Sequence, residues 1–254
     1  MEAAHLKELI TLEQGYWWHV AKRRLATQLL LEQVPLIDSI ATDLCAADLQ
    51  PLVIEGGIGA GGNLLHWQSC GYRVSGLDIM PESIENATAR GLTNVHVHDL
   101  HEPWPYQPGC ASAVVLLDVL EHLRDPVLAL QRAREVLATD GKIIFTVPAH
   151  PWLYSDWDHR LGHYRRYTAR MLTTQVQAAG FKLLQMRPWN AISLPIAVAL
   201  RLYRRMIPHP RGAEFPRIGR LMNQALLSVQ SLEQRMANYC IIPCGLSILG
   251  VISK

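Results

Sequence analysis

The chain has 254 residues, 49% of them hydrophobic and 18% charged, with a formal net charge of +2. That much apolar sequence can bury one full core near the upper size of a single domain. The near balance of charge excludes a general electrostatic drive toward nucleic acid, which a basic stripe would supply.

Residues 1–50 read as helical, because "YWWHVAKRRLATQLLLEQV" repeats its apolar residues at helical spacing. The segment is expected either to cap a site through Tyr16, Trp17, Trp18 and His19 or to dock on the sheet. The first twenty residues hold no signal-peptide core, and no run approaches the roughly 20 apolar residues that span a bilayer. From about Pro51 to Met186, short β-rich runs alternate with helix-like segments. "PLVIE" leads into a glycine-rich turn and "NLLHWQSC". "YRVSGLD" leads into "ESIENATAR", with Pro81 in the first helical turn. "NVHVHD" and "SAVVLLDVL" are the third and fourth strands. "DPVLALQRAREVLATDG" reads as a helix with Asp125 as N-cap, Pro126 at its first position and Gly141 as its stop. "KIIFTVP" follows, then "TARMLTTQVQAAG" between Thr168 as N-cap and Gly180 as C-cap, then "FKLLQMR". Strict alternation of strand and helix predicts an α/β domain, with a parallel sheet covered by helices on both faces.

Residues 189–240 break this rhythm as a helical insertion. They hold the apolar "AISLPIAVAL", then "RLYRR", a Pro- and Arg-bearing linker and the polar helix "RLMNQALLSVQSLEQRM". "GLSILGVISK" reads as one more strand, closing the sheet edge antiparallel to its predecessor. The expected organisation is therefore an N-terminal helical segment, 1–50, and one domain, 51–254. The five cysteines (45, 70, 110, 240 and 244) include no C-x-x-C pair, so a reduced, cytoplasmic chain is expected.

Glycines at 56, 57, 59, 61 and 62 follow the first strand directly and precede a helix. Such a loop lets the backbone approach a ligand closely and presents free N–H groups. Gly57, Gly59 and Gly62 fit G-x-G-x-x-G, a dinucleotide pattern, while Glu55, Gly57, Gly59 and Gly61 fit E-x-G-x-G-x-G equally well. The acid favours the second. A carboxylate two residues before the first glycine would repel a pyrophosphate, but it suits an ammonium. Asp78 ends the second strand, where an acid can accept ribose hydroxyls. Asp99 ends the third, followed by Leu100, where an acid can accept an exocyclic adenine amine. Each acid alone could be a helix cap, but three at successive strand ends beside one glycine loop make that reading poor.

In these stretches ("VIEGGIGAG", "GLDIMPESIENA", "VHDL", "VVLLDVLEHLRDP") the chain resembles the class I S-adenosylmethionine-dependent methyltransferases from about Pro51 to Arg187. The resemblance implies a doubly wound, seven-stranded, Rossmann-like sheet whose last strand is antiparallel. It implies S-adenosylmethionine as cofactor, with Glu55 and the Gly57–Gly61 backbone at its methionine part, Asp78 at the ribose, and Asp99 with Leu100 at the adenine. Gly56, Ile79 and Asp118 complete the expected cofactor set. Gly56 stands where the family usually has a bulkier residue, so a looser loop is expected.

Methyl transfer to a hydroxyl gains from a nearby base, whereas an amine or thiolate may need none. Asp118, Glu121 and His122 sit at the carboxyl end of the fourth strand, where α/β sites open. Three readings stay open for them: His122 as general base, a divalent-cation site like that of quinone-biosynthesis O-methyltransferases, or a loop that only shapes the site. Asp118 in place of Glu shortens the reach and weakens the metal reading, and no metal is expected.

The segment "VPAHPWLYSDWDHRLGHYRRYT" after the fifth strand is too long for an ordinary connection of about 2–6 residues. It is expected to wall the acceptor side. Trp152, Tyr154, Arg165, Arg166 and Tyr167 would face the substrate, and His163, Asp158 and His122 would serve as acid–base groups. It resembles a bacterial subgroup of these methyltransferases that carries "GHYRRYT", whose members often look associated with cell-surface glycan or lipid pathways. The expectation is O-methylation of a small-molecule, glycan or lipid-linked acceptor, without nucleic acid. Residues 191–211 pair an apolar run with Arg201, Arg204, Arg205 and Arg211, and could touch the inner face of a membrane or be a buried helix with a basic end. Two rivals are a non-catalytic cofactor-binding protein and a nicotinamide-dependent oxidoreductase.

Overall fold

The computed structural model describes residues 10–37, 50–206, 218–237, 239 and 242–254. Its seven strands are β1 (Leu52–Gly56), β2 (Arg73–Asp78), β3 (Val95–Val97), β4 (Ala111–Leu117), β5 (Leu137–Pro148), β6 (Lys182–Trp189) and β7 (Ser247–Ser253). They form one sheet in the order β3-β2-β1-β4-β5-β7-β6. Only the two pairings of β7, with β5 and with β6, are antiparallel. The helices are α1 (Trp17–Gln33), α2 (Gly62–Ser69), α3 (Pro81–Ala89), α4 (Pro126–Val136), α5 (Asp156–Arg160), α6 (Ala169–Ala178), α7 (Ser193–Met206) and α8 (Arg220–Met236).

The central strands are apolar on both faces, as a sheet covered twice requires. Successive side chains alternate between two layers. Val53, Val115 and Ile144 pack with Leu25 and Leu29 of α1 and Leu64 and Trp67 of α2. Ile54, Val114 and Ile143 pack with Leu130 of α4 and Leu172 and Val176 of α6. Asp125 caps α4 by accepting from the Leu128 N–H, and Thr168 caps α6 by accepting from the Met171 N–H.

Two expectations are corrected. Gly141 does not stop a helix: α4 ends at Val136, and the chain enters β5 at once. The final strand does not close an edge. It inserts between β5 and β6, with Gly250 opposite Phe145, where a Cβ would come within 2.1 Å of the ring. Of the two readings left open for α1, its body follows the docked one and forms a core layer on the sheet. Leu25, Leu29 and Leu30 are at most 1% exposed, and burying each stabilises by roughly 1.5–3 kcal/mol. Its first turns nevertheless reach the carboxyl edge of the sheet, where Trp18 packs on Trp189 with ring centroids 5.1 Å apart.

Among the described residues, Cys70, Cys110 and Cys244 are free thiols, and no helix is long and apolar enough to cross a membrane. Cys45, Cys240 and Arg211, and the side chains of Arg204 and Arg205, lie outside the described residues.

Candidate active site

The turn after β1 runs through Gly57, Gly59 and Gly61 at φ +73°, +54° and +78°, a left-handed path that other residues adopt with strain. Glu55, buried just before it, accepts from the Asn63 side-chain amide at 2.7 Å through Oε1, while Oε2 has no hydrogen-bond partner. Burial pushes this carboxyl well above the usual range, against the pull of Asn63. An orphaned acid oxygen beside a glycine loop fits a ligand ammonium. Asp78 accepts the Gly59 N–H at 3.0 Å on one oxygen and the Met80 N–H at 2.9 Å on the other. Burial raises it nonetheless. Each oxygen keeps a second lone pair, so a vicinal diol can still be received. Ile79, next in the chain, is 64% exposed and offers an apolar face to a flat ring.

Asp99 accepts the His101 N–H at 3.0 Å and faces His101 Nδ1 at 2.7 Å, and these contacts hold it below the usual carboxylate range. The Leu100 side chain turns into the core beneath Gly56, leaving only its backbone for a bound base. Gly56 does not loosen the loop, because a Cβ there would come 2.8 Å from Leu116 and 3.3 Å from Leu100. Glu13 has no motif to mark it in the sequence. Its buried carboxylate accepts the Gly62 N–H at 2.9 Å at the start of α2 and pairs with Arg90 at 3.3 Å.

The carboxyl edge is strained at three non-glycine positions just beyond strands: Asp118 after β4 (φ 54°), His150 after β5 (φ 63°) and Asn190 after β6 (φ 61°). Such outliers collect where side chains must be aimed. Asp118 is engaged by the protein itself, through an ion pair with Lys22 and a 2.8 Å hydrogen bond from the Thr146 hydroxyl. Burial would raise its carboxyl, but Lys22 outweighs that and lowers it. Lys22 was legible in principle. It shares the buried stripe of α1 with Trp18, Leu25 and Leu29, and a lysine there demands an acid. Burial, aided by Lys22, also pushes the His19 imidazole down to about 3.

Beyond Asp118 a single 3-10 turn, Leu120–His122, places Glu121 and His122. Glu121 is completely buried, with both carboxylate oxygens lacking a hydrogen-bond partner. Its pKa is raised well above the usual value by burial and by Asp118. The His122 ring meets His163 edge to face, with centroids 4.6 Å apart, and burial with this neighbour lowers it to about 4.

His163 arrives from the long segment after β5, which leaves and rejoins the sheet at one point: Ala149 bridges Tyr167, and the Tyr167 N–H donates to Pro148 O at 2.9 Å. Inside, a capping box between Ser155 and Asp158 starts α5. Several acceptor-facing expectations are corrected. Asp158 is fully buried and accepts from Arg166 Nε at 2.7 Å and Ser155, with Arg201 at 3.5 Å and His163 Nδ1 at 3.3 Å. Burial opposes ionisation, but the donors of His163 and Arg166 carry this carboxyl far below its usual range. It is therefore an orienting acid rather than a proton carrier. Arg166 also donates to Ala149 O at 3.0 Å and is buried, so it has no face for a substrate anion. Tyr167 is 0% exposed and donates to Leu120 O at 3.0 Å, joining the two loops. Tyr154 donates to His163 O at 2.6 Å, and Arg165 donates to Arg124 O at 3.0 Å. Trp152 is 60% exposed. The segment thus brings His163 to His122 and uses most of its remaining charge to hold itself there.

A family model described as a methyltransferase domain matches residues 22–186. No curated protein sequence matches the chain. Among solved structures, the fold is similar to that of a SAM-dependent methyltransferase from Archaeoglobus fulgidus, at 14% identity and TM-score 0.57, with 91% of this chain and 94% of that one covered. It is also similar to the Haloferax volcanii methyltransferase in complex with the Trm112 methyltransferase activator, at 16% identity and TM-score 0.62, covering 99% and 94%. A third is the geranyl diphosphate C-methyltransferase of Streptomyces coelicolor, in complex with Mg2+, geranyl diphosphate and S-adenosyl-L-homocysteine, at 10% identity and TM-score 0.57, covering 91% and 80%.

Proposed function

The chain belongs to the methyltransferase-domain family, and from that premise we propose that it draws its methyl group from S-adenosylmethionine and methylates a hydroxyl of a lipid-linked or other small acceptor. The observation that carries this reading is His163, backed by the buried Asp158 and set against His122 at the carboxyl edge.

The donor supplies an electrophilic methyl group on a sulfonium, and displacement there needs alignment rather than a covalent enzyme group. Glu55 Oε2 would receive the ammonium, Asp78 the ribose hydroxyls, Ile79 the adenine ring and Asp99 its exocyclic amine. An alcohol is a poor nucleophile until its proton is drawn away. The histidine pair is placed to do this, and such assistance contributes roughly 10²–10⁴-fold. Asp158 fixes the ring of His163 and favours the Nδ1–H tautomer, leaving Nε2 toward the acceptor.

The lipid-linked class is supported by α7. Ile196, Leu200 and Tyr203 share one helical stripe and are 60%, 41% and 50% exposed. The same helix reaches the site through Arg201 and Asp158. An acceptor with an apolar tail along α7 and a hydroxyl at His163 would satisfy both, and such a stripe also suits the interfacial zone of a membrane.

The test is to incubate the protein with methyl-tritiated S-adenosylmethionine and a cell extract, then partition organic from aqueous phases. The reading expects organic-phase label that survives alkali, as a methyl ether does, and that is lost with His163→Ala. Label confined to amines, or transfer unchanged in His163→Ala, would overturn it.

A further inference from the structure

Hydroxyl methylation by the histidine pair gives Glu121 no role, yet Glu121 is the most anomalous group at this edge. It is 0% exposed, and both of its oxygens are unpartnered. An ionised carboxylate there needs donors, and a protonated one needs an acceptor for its O–H. The protein supplies neither. What lies around it is two imidazoles: one carboxylate oxygen of Glu121 and one nitrogen each of His122 and His163 all lie within 4.8 Å of one another.

We propose that Glu121, His122 and His163 bind a divalent transition-metal ion of the zinc class. Two imidazoles and one carboxylate form the donor set of open zinc sites, in which the fourth position is left to water or substrate. At zinc–ligand distances of about 2.0–2.2 Å the donor atoms of a tetrahedral site stand roughly 3.3 Å apart, so the three groups need to close by about 1.5 Å at most. The outer shell is already in place. His163 Nδ1 faces Asp158, and Asp158 is itself held by Arg166 and Ser155. This carboxylate–histidine arrangement orients a metal ligand and directs its Nε2 to the ion. Nitrogen donors with a single carboxylate disfavour magnesium and calcium, which take oxygen ligands.

The nearby acid Asp118 is not part of the set, because its charge is neutralised by the Lys22 ammonium and its oxygens do not join the cluster of the three ligand atoms. The ligands therefore come from two separate loops, after β4 and after β5, pinned together by the Tyr167 hydroxyl on Leu120 O. The inference rests on reading this edge as the acceptor side; where the ion is bound, His122 and His163 serve as its ligands, and a Lewis-acidic centre rather than a free imidazole would lower the pKa of the acceptor hydroxyl.

The experiment uses full-length, tag-free protein stripped with chelator and titrated with Co2+, whose ligand-field bands report imidazole and carboxylate coordination. Wild type is expected to bind one equivalent that Zn2+ displaces. Glu121→Gln, which keeps the side-chain shape, and His163→Ala are each expected to weaken binding roughly tenfold or more. The S-adenosylhomocysteine-induced thermal shift should persist in both variants and so report that they are folded. Cobalt affinity unchanged in Glu121→Gln, no binding by wild type, or a thiolate charge-transfer band from cysteine coordination would overturn the site. If wild type binds no cobalt while His163→Ala still abolishes ether labelling, the metal site alone falls. If cobalt binds through these three residues while the label goes to amines, the hydroxyl reading alone falls.

Discussion

The two halves of the carboxyl edge are built differently. Between β1 and β3 the loops are short, and their acids keep capacity for a ligand: Glu55 has an unpartnered oxygen, and Asp78 accepts the Gly59 and Met80 N–H groups with no cation paired to it among the described residues. Between β4 and β6 the loops are long, and their acids are largely paired by the protein itself, Asp118 by Lys22 of α1 and Asp158 by Arg166. A short loop is held by the sheet, so its side chains are free for ligands. A long one must supply its own scaffold. An acid in the first half is therefore expected to act on cofactor affinity, and an ion-paired acid in the second half, Asp118 or Asp158, on stability.

The largest effect expected from this contrast is at Asp158. Asp158→Ala leaves the buried Arg166 without its counter-ion, at a cost of about 3–5 kcal/mol in urea unfolding. A loss under 1 kcal/mol would mean that the segment does not depend on this pair.

Next is Glu55→Gln, which removes the charge opposite the ligand ammonium. Titration calorimetry should show S-adenosylmethionine binding weakened by about 1.5–3 kcal/mol. Without ligand the same variant should be the more stable protein, by a margin that grows as pH rises above the ordinary carboxyl range. The sign follows from the raised folded-state pKa. The unfolded carboxyl gives up its proton near 4.5 while the buried one retains it, so wild-type stability falls as pH rises and the glutamine protein escapes that loss. Melting temperatures measured as pH rises check it, and a margin that shrinks with pH would contradict it.

The smallest effect belongs to Trp152, which is exposed on the long segment. Trp152→Ala should alter stability by no more than about 0.5 kcal/mol, and any loss of transfer should appear in KM for the acceptor.

The same contrast explains what the sequence made legible. The first half was readable acid by acid, because strand ends and glycine spacing fix where each side chain points. Alternation of apolar runs gave the strands and the reversed direction of the last one, but not its place, since pairing of β7 between β5 and β6 is a long-range choice. On the long segment composition misled. Arg166 and Tyr167 look like ligand-facing groups in "GHYRRYT" until Asp158 and Leu120 O claim them, and no spacing rule encodes a partner eight or 47 residues away. The role of Lys22 was hidden for the opposite reason: its signal was a charge on an apolar stripe, which names a missing partner without saying where it lies. His163 is the segment's histidine whose ring meets both Asp158 and His122, a pairing that the spacing of the segment does not encode.

The division between the halves is tested most directly by measuring His163→Ala twice, in S-adenosylhomocysteine binding by calorimetry and in tritiated methyl transfer to the organic-phase acceptor. The account predicts affinity equal to wild type with transfer reduced roughly 10²–10⁴-fold. Transfer at the wild-type rate with affinity intact would contradict it and return the segment around His163 to a purely structural role.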